Sequence, residues 1–360
     1  MDRRRFLAAG ATAAAVGATS AAAGAHSQQD PKKAPKAAPI TETPIAETPK
    51  AKSPAGKQDP AAKAPGEPKA GAQSPTPSTA EAAKKTPDAK PFQLRYAPHF
   101  GMFSNHAKSL DDQLQFAADE GFEAWEDNGM ARRDEATQRR LADKMQQCGI
   151  QMGVFVAHAD FSKPTFASGK KDFRDRVLAD IDKACTVAGR VNAQWCTVVP
   201  GTVDPRKDEG YQFSNTVDLL KRCCDKIEKN KSELVMVLEP LNFRDHPRLL
   251  LTKVAQAFAI CRAVGSEHCK ILDDLYHQQI TEGNLIPNID DAWSEIAYFQ
   301  VGDNPGRNEP DTGEIHFRNV FRHIHGKKFA GIVGMEHGKS QGGKEGERKL
   351  IAAYRNADSF

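Results

Sequence analysis

The sequence has no Cys-x-x-Cys pair, which excludes a paired-thiolate metal site. Its seven cysteines (Cys148, Cys185, Cys196, Cys223, Cys224, Cys261 and Cys269) are odd in number and follow no small-scaffold spacing, so a disulfide framework is excluded too. Vicinal Cys223 and Cys224 sit in a helical pattern and read as packing residues. Neither sign of charge is in excess: 50 Lys and Arg stand against 47 Asp and Glu, a net +3 that makes no case for nucleic-acid binding. Apolar runs long enough to cross a bilayer are missing, because the N-terminal Ala/Gly run is too short and its side chains too small. Aromatic residues are absent from 26 to 90, a stretch that holds twelve of the 22 prolines.

These absences divide the chain in three. Residues 1–25 have a basic start, a mildly apolar run and small residues suited to cleavage after Ala25. Arg3, Arg4, Phe6 and Leu7 follow the twin-arginine pattern, so the expectation is a signal peptide read by the twin-arginine translocase and a periplasmic location. Export in the folded state leaves the thiols reduced. Residues 26–90 are Ala, Pro, Lys, Glu, Thr and Ser. They bury too little apolar surface to offset their ordering entropy, and the expectation is a disordered tether with polyproline character.

Residues 91–360 read by period. Strand-like runs fall at 92–100 ("FQLRYAPHF"), 122–127 ("FEAWED"), 150–158 ("IQMGVFVAH") and 193–201 ("AQWCTVVPG"). Four more fall at 233–241 ("ELVMVLEPL"), 269–276 ("CKILDDLY"), 297–303 ("AYFQVGD") and 330–338 ("AGIVGMEHG"). Helical patterns such as "SLDDQLQFAADEG" and "LTKVAQAFAICRAVG" separate them, several closed by a Gly suited to a left-handed end. Strict alternation implies a parallel sheet, and eight units in one domain predict an α/β fold of the (β/α)8 TIM-barrel type.

In such a barrel the carboxyl ends of the strands form the mouth, where function collects. Glu239, Asp274, Gln300 and Glu336 end the fifth to eighth strands, each in step with inward neighbours such as Val235 and Val237 below Glu239. Four oxygen donors on one side of the mouth suit a hard divalent cation, Mg²⁺ or Mn²⁺. The alternative for the acids is a set of buried ion pairs with Arg or Lys. His99 and His158, closing the first and third strands, either bind a substrate carboxylate or carbonyl or are rim histidines with structural partners.

The motifs "RYAPHFGMF", "EDNGM", "GVFVAH", "TVVPG", "VMVLEPLN", "YHQQITEGNLIPNID", "QVGDNPGRNEPDTGEI" and "GMEHG" together resemble the hydroxypyruvate isomerase family, within the xylose-isomerase-like barrels. The resemblance covers 92–360. It implies that Glu239 and Glu336 are paired acid/base glutamates that also touch a metal where one is bound. It further implies that Asp274 and Gln300 complete the ligand set, and that His277, Arg307 and Glu309 lie on the substrate side. Related sugar epimerases usually show His where this chain has Gln300. Asp273 departs from the family's large apolar residue. Alternation aims it at the helix layer, where it pairs with a base or destabilises the sheet.

The activity so implied interconverts hydroxypyruvate and tartronate semialdehyde. A proton moves between adjacent carbons through an enediolate, which requires a base, an acid and a holder for the developing oxyanion. A ketose 3-epimerase or another sugar isomerase of the same barrel is the competing reading. An abasic-site endonuclease would need more His ligands and a basic groove. A non-catalytic carbohydrate-binding barrel would not need both glutamates.

Overall fold

The computed structural model describes residues 91–360. The signal reading of 1–25 and the tether reading of 26–90 lie outside the described residues. Alternating apolar residues form nine strand segments: β1 Tyr96–Ala97, β2 Ala124–Trp125, β3 Gln151–Met152, β4 Phe155–Ala159, β5 Trp195–Val199, β6 Val235–Leu238, β7 Cys269–Asp274, β8 Ile296–Gln300 and β9 Val333–Gly334. Between them run α1 Leu110–Asp119, α2 Glu135–Cys148, α3 Lys171–Val191, α4 Glu209–Lys229, α5 Val254–Val264, α6 Leu275–Thr281, α7 Leu285–Ala292, α8 Phe317–Gly326 and α9 Gly343–Ala357.

All strand pairs are parallel, in the order β1-β9-β8-β7-β6-β5-β4, with β2 and β3 paired separately. The two sheets join into one ring. His99 bridges Glu126 just past β1 and β2, Glu126 N–H donates to Pro98 O at 2.9 Å, and β3 runs into β4 across Gly153 and Val154. The third expected strand is therefore present in two pieces. Tyr298 interrupts it from inside the barrel: a Cβ on Gly153 would stand 2.4 Å from the Tyr298 hydroxyl, which accepts from Val154 N–H at 3.4 Å. The described residues form nine α-helices instead of the expected eight because the β7–β8 connection holds two. Gly283 and Asn284, at φ 61° and 49°, separate α6 from α7, since a right-handed helix cannot pass through the left-handed region.

Strand alternation sorts side chains into two layers. Ala97, Ala124, Val154, Trp195, Val237, Leu272, Tyr298 and Ile332 fill the barrel interior, whereas Met236, Leu238, Ile271, Phe299 and Val333 face the helices. The helices answer with spaced apolar faces; α3 buries Val177, Ile181, Ala184, Cys185, Ala188 and Val191 along one stripe. All seven cysteines are free, and Cys223 and Cys224 are buried on α4.

Asp273 lies in the strand–helix layer as alternation requires, 2% exposed. Of its two expected fates, pairing does not occur: no base reaches it among the described residues, and its Oδ1 has no hydrogen-bond partner. Burial, with Asp274 and Glu282 adding, pushes its carboxyl up to about 8. Asp273→Leu removes a buried carboxyl with an oxygen that nothing satisfies, so it should stabilise the fold by roughly 1–3 kcal/mol. Urea midpoints check this, and a lower midpoint for the Leu variant would count against it.

Candidate active site

Two residues above the inward layer, four strands deliver a polar side chain to the mouth. Glu126 follows Ala124, Glu239 follows Val237, Asp274 follows Leu272 and Gln300 follows Tyr298, all 7% exposed or less. Asp274 pairs in register with Gln300, and Gln300 with Gly334, so these ends stand at one height. Glu336 follows two residues later, with its side chain 26% exposed.

Arg307, from the loop after β8, binds these acids together. Its terminal nitrogen donates to Asp274 Oδ2 at 3.0 Å and Glu336 Oε2 at 2.8 Å, and Nε donates to Glu336 O at 3.1 Å. The guanidinium rests over Tyr276, 4.7 Å from the ring centre. Burial of so many acids has a titration cost. Desolvation, then the charges of Glu336 and Asp274, hold Glu239 well above the usual carboxylate range against the opposing pull of Arg307. Desolvation raises Glu336 to about 7, although Arg307 and the Asn128 amide, which donates to it at 2.9 Å, work the other way. Glu126 is raised well above its ordinary value by burial and then by Glu336.

His277 lies 3.4 Å from Asp274 Oδ2 and 4.0 Å from Glu239 Oε1 through Nε2. Glu239, Asp274 and His277 thus form a compact group of potential ligands. The tautomer argues against His277 as a ligand. Its Nδ1 accepts from the Asn242 backbone N–H at 3.2 Å, so the proton of the neutral ring sits on Nε2, on the side of the acids, where it makes no hydrogen bond. Burial keeps the ring neutral by lowering its pKa to about 4. Asn242 belongs to the turn of "LEPLNFRD", where its side-chain oxygen accepts from Arg244 and Asp245 N–H at 3.0 and 2.9 Å.

A better fourth oxygen is available on Gln300. Its Nε2 donates to both Glu126 oxygens, at 3.2 and 3.3 Å, leaving a buried Oε1 with no partner. Three carboxylates and one free amide oxygen suit a hard divalent cation, and Glu239, Asp274, Gln300 and Glu336 would be the residues to hold one.

A cavity of about 380 Å³ opens beside Glu336, walled by His99, Phe100, Glu126, Asn128 and Arg133. His99 is tied by Nδ1 to Phe100 O at 3.0 Å and by Nε2 to His337 O at 3.3 Å. His158 is elsewhere: its nitrogens meet Asp180 at 2.7 Å and Thr165 at 3.4 Å, which makes it a rim histidine with structural partners. Glu309 likewise spends its carboxylate on Ser340, accepting from the backbone N–H at 2.9 Å and from the hydroxyl, so it braces two mouth loops. Sequence reasoning passed over Glu126, Asn128 and Arg133. The signal for Glu126 was present, an acid ending "FEAW" two residues above an inward Ala, but the acid beside it, Asp127, obscured which one faces inward.

A model of the xylose isomerase-like TIM barrel family matches residues 114–357. The 2-oxo-tetronate isomerase of Pectobacterium atrosepticum is 26% identical over 212 residues, 56% of this chain and 79% of that protein. The hydroxypyruvate isomerase of Escherichia coli is 35% identical over 125 residues, 35% of this chain but only 48% of that protein. Among solved structures, an AP endonuclease of family 2 from Brucella melitensis superposes with a TM-score of 0.62 at 21% identity, over 72% of this chain and 99% of that one. A D-psicose 3-epimerase gives 0.57 at 16% identity, over 73% and 96%. At such identities the structural likenesses show the fold alone. Together with the ring of parallel strands and the acids at its mouth, the match over most of the chain places this protein in the xylose isomerase-like TIM barrel family.

Proposed function

We propose that this isomerase shifts a carbonyl between adjacent carbons of a short hydroxy-keto acid, of the hydroxypyruvate or 2-oxo-tetronate kind. The observation that carries the reading is the pair Glu239 and Glu336, which approach the mouth from separate strands and share Arg307 and Asp274 as neighbours. With hydroxypyruvate, one carboxylate takes a proton from the CH₂OH carbon and the other glutamate delivers one to the former carbonyl carbon. The hydroxyl proton passes between the two oxygens, and atoms balance as an isomerisation. A cation held by Glu239, Asp274, Gln300 and Glu336 would stabilise the negative oxygen of the enediolate. Arg307 and the Nε2–H of His277 add donors on the same side.

An anionic substrate suits the cavity wall. Arg133 donates through Nε to Asp127, at 2.5 Å, lies with its guanidinium over Phe100 and lines the cavity that Glu336 also lines. Incubating the full chain with hydroxypyruvate, 2-oxo-tetronate and D-fructose, with and without Mg²⁺ or Mn²⁺, tests the assignment by NMR. Turnover of the acids is expected. Inversion at the third carbon of the ketose, with the acids untouched, would make the protein an epimerase instead.

A further inference from the structure

We infer that Glu126 is a positioning residue: by holding the amide nitrogen of Gln300 it presents the amide oxygen to the cation. The inference rests on the metal-assisted reading above. A Gln side chain ends in a torsion with two nearly equivalent settings, and only one of them offers oxygen to a metal. Turned over, the NH₂ group would face the cation and repel it. Glu126 decides between the settings because both its oxygens lie within hydrogen-bond reach of Gln300 Nε2, at 3.2 and 3.3 Å, while Oε1 is buried without a partner. An acceptor opposite the nitrogen therefore leaves the oxygen to the site.

Glu126 is itself fixed from two directions. The Tyr298 hydroxyl, which accepts from Val154 N–H at 3.4 Å, hydrogen-bonds to Glu126 with its own proton. On the far side the carboxylate fills the space over Gly334, where a Cβ would lie 1.8 Å from Glu126 Oε1. Gly334 is not needed for a left-handed turn; it is needed because the Glu126 carboxylate crosses the barrel interior at that point. Packing alone would be served as well by an apolar side chain of the same length. A carboxyl that is 1% exposed is expensive there unless its oxygens are used.

Mn²⁺ binding to the purified full chain, followed by electron paramagnetic resonance of the free ion, separates the two roles. Glu126→Met, which keeps the volume and removes the acceptor, should weaken Mn²⁺ binding by about 10- to 100-fold. Glu126→Gln keeps an acceptor oxygen and should stay within about threefold of wild type, and in a Gln300→Met background Glu126→Met should add nothing, since the two act as one unit. Gly334→Ala reaches the same point without altering either side chain; by displacing Glu126 it should also weaken Mn²⁺ binding, and it decides the matter if Glu126→Met does not fold. Wild-type affinity in folded Glu126→Met or in Gly334→Ala would overturn the inference. No Mn²⁺ binding by wild type would remove the metal reading together with the inference, a failure visible before any variant is compared.

Discussion

Glu239→Gln and Glu336→Gln should each lower turnover of hydroxypyruvate by on the order of 10² to 10⁴, because an amide of the same shape cannot accept or deliver the transferred proton. Both residues also belong to the proposed ligand set, and the two roles need separating. The Gln variants retain an oxygen for the cation, so a loss that persists at saturating Mn²⁺ is loss of proton transfer. Full recovery at saturating metal would leave the residue a ligand only. Product binding should survive, since each Gln keeps the shape of the side chain it replaces and Arg307 and His277 remain in place. In D₂O the wild-type enzyme should place deuterium on the carbon that receives the proton, unless the proton is shielded and returned within the site. If both single variants kept full activity on every substrate tried, the paired-glutamate mechanism would be lost.

The second large effect is on stability, and it arises at the outer edge of the mouth. Glu347, at the start of α9, is fully buried and receives five hydrogen bonds: from Asn105 N–H at 2.8 Å, the Asn105 amide at 2.7 Å, His106 N–H at 3.0 Å, His106 Nδ1 at 2.7 Å and Lys339 Nζ at 3.1 Å. One carboxylate thus ties the loop after β1 to the loop after β9. Burial raises its pKa, but the donors from Asn105, His106 and Lys339 outweigh that and hold it at about 2, below its ordinary 4.5.

A folded pKa below the unfolded one means that the contribution is complete above about pH 4.5 and disappears as pH falls towards 2. At 1.36 kcal/mol per pKa unit, Glu347→Gln should cost about 3 kcal/mol at pH 7. The gap between wild type and variant in denaturant midpoints should narrow between pH 4.5 and pH 2. A gap that is constant over that window would mean that the charge contributes nothing and that the residue only packs.

Neither Glu347 nor Glu126 stood out in the sequence, for related reasons. Glu347 lies in "GGKEGERKL", where any of the acids would suit an exposed helix face; only the return of the chain to Asn105 and His106 reveals what it binds. Glu126 needed the position of Tyr298 and the bare backbone of Gly334, residues far away in sequence. His158 and Glu309 show the converse. Each ends up close to the mouth in sequence terms, yet Asp180 and Ser340, supplied by other loops and helices, occupy them.

The strand pattern determined more. Period two by itself placed Val237, Leu272 and Tyr298 inside and so aimed Glu239, Asp274 and Gln300 at the mouth while sending Asp273 to the helix layer, because a strand has only two faces. The alternation of strands and helices determined the barrel, since parallel neighbours need a crossover between them. What tertiary structure alone decided was partnership. Which nitrogen of His277 carries its proton depends on the Asn242 N–H, which way the Gln300 amide points depends on Glu126, and which acids are raised depends on how many meet around Arg307. Such facts are distances between segments far apart in the chain. Local propensity and periodicity act over a few residues and do not encode them.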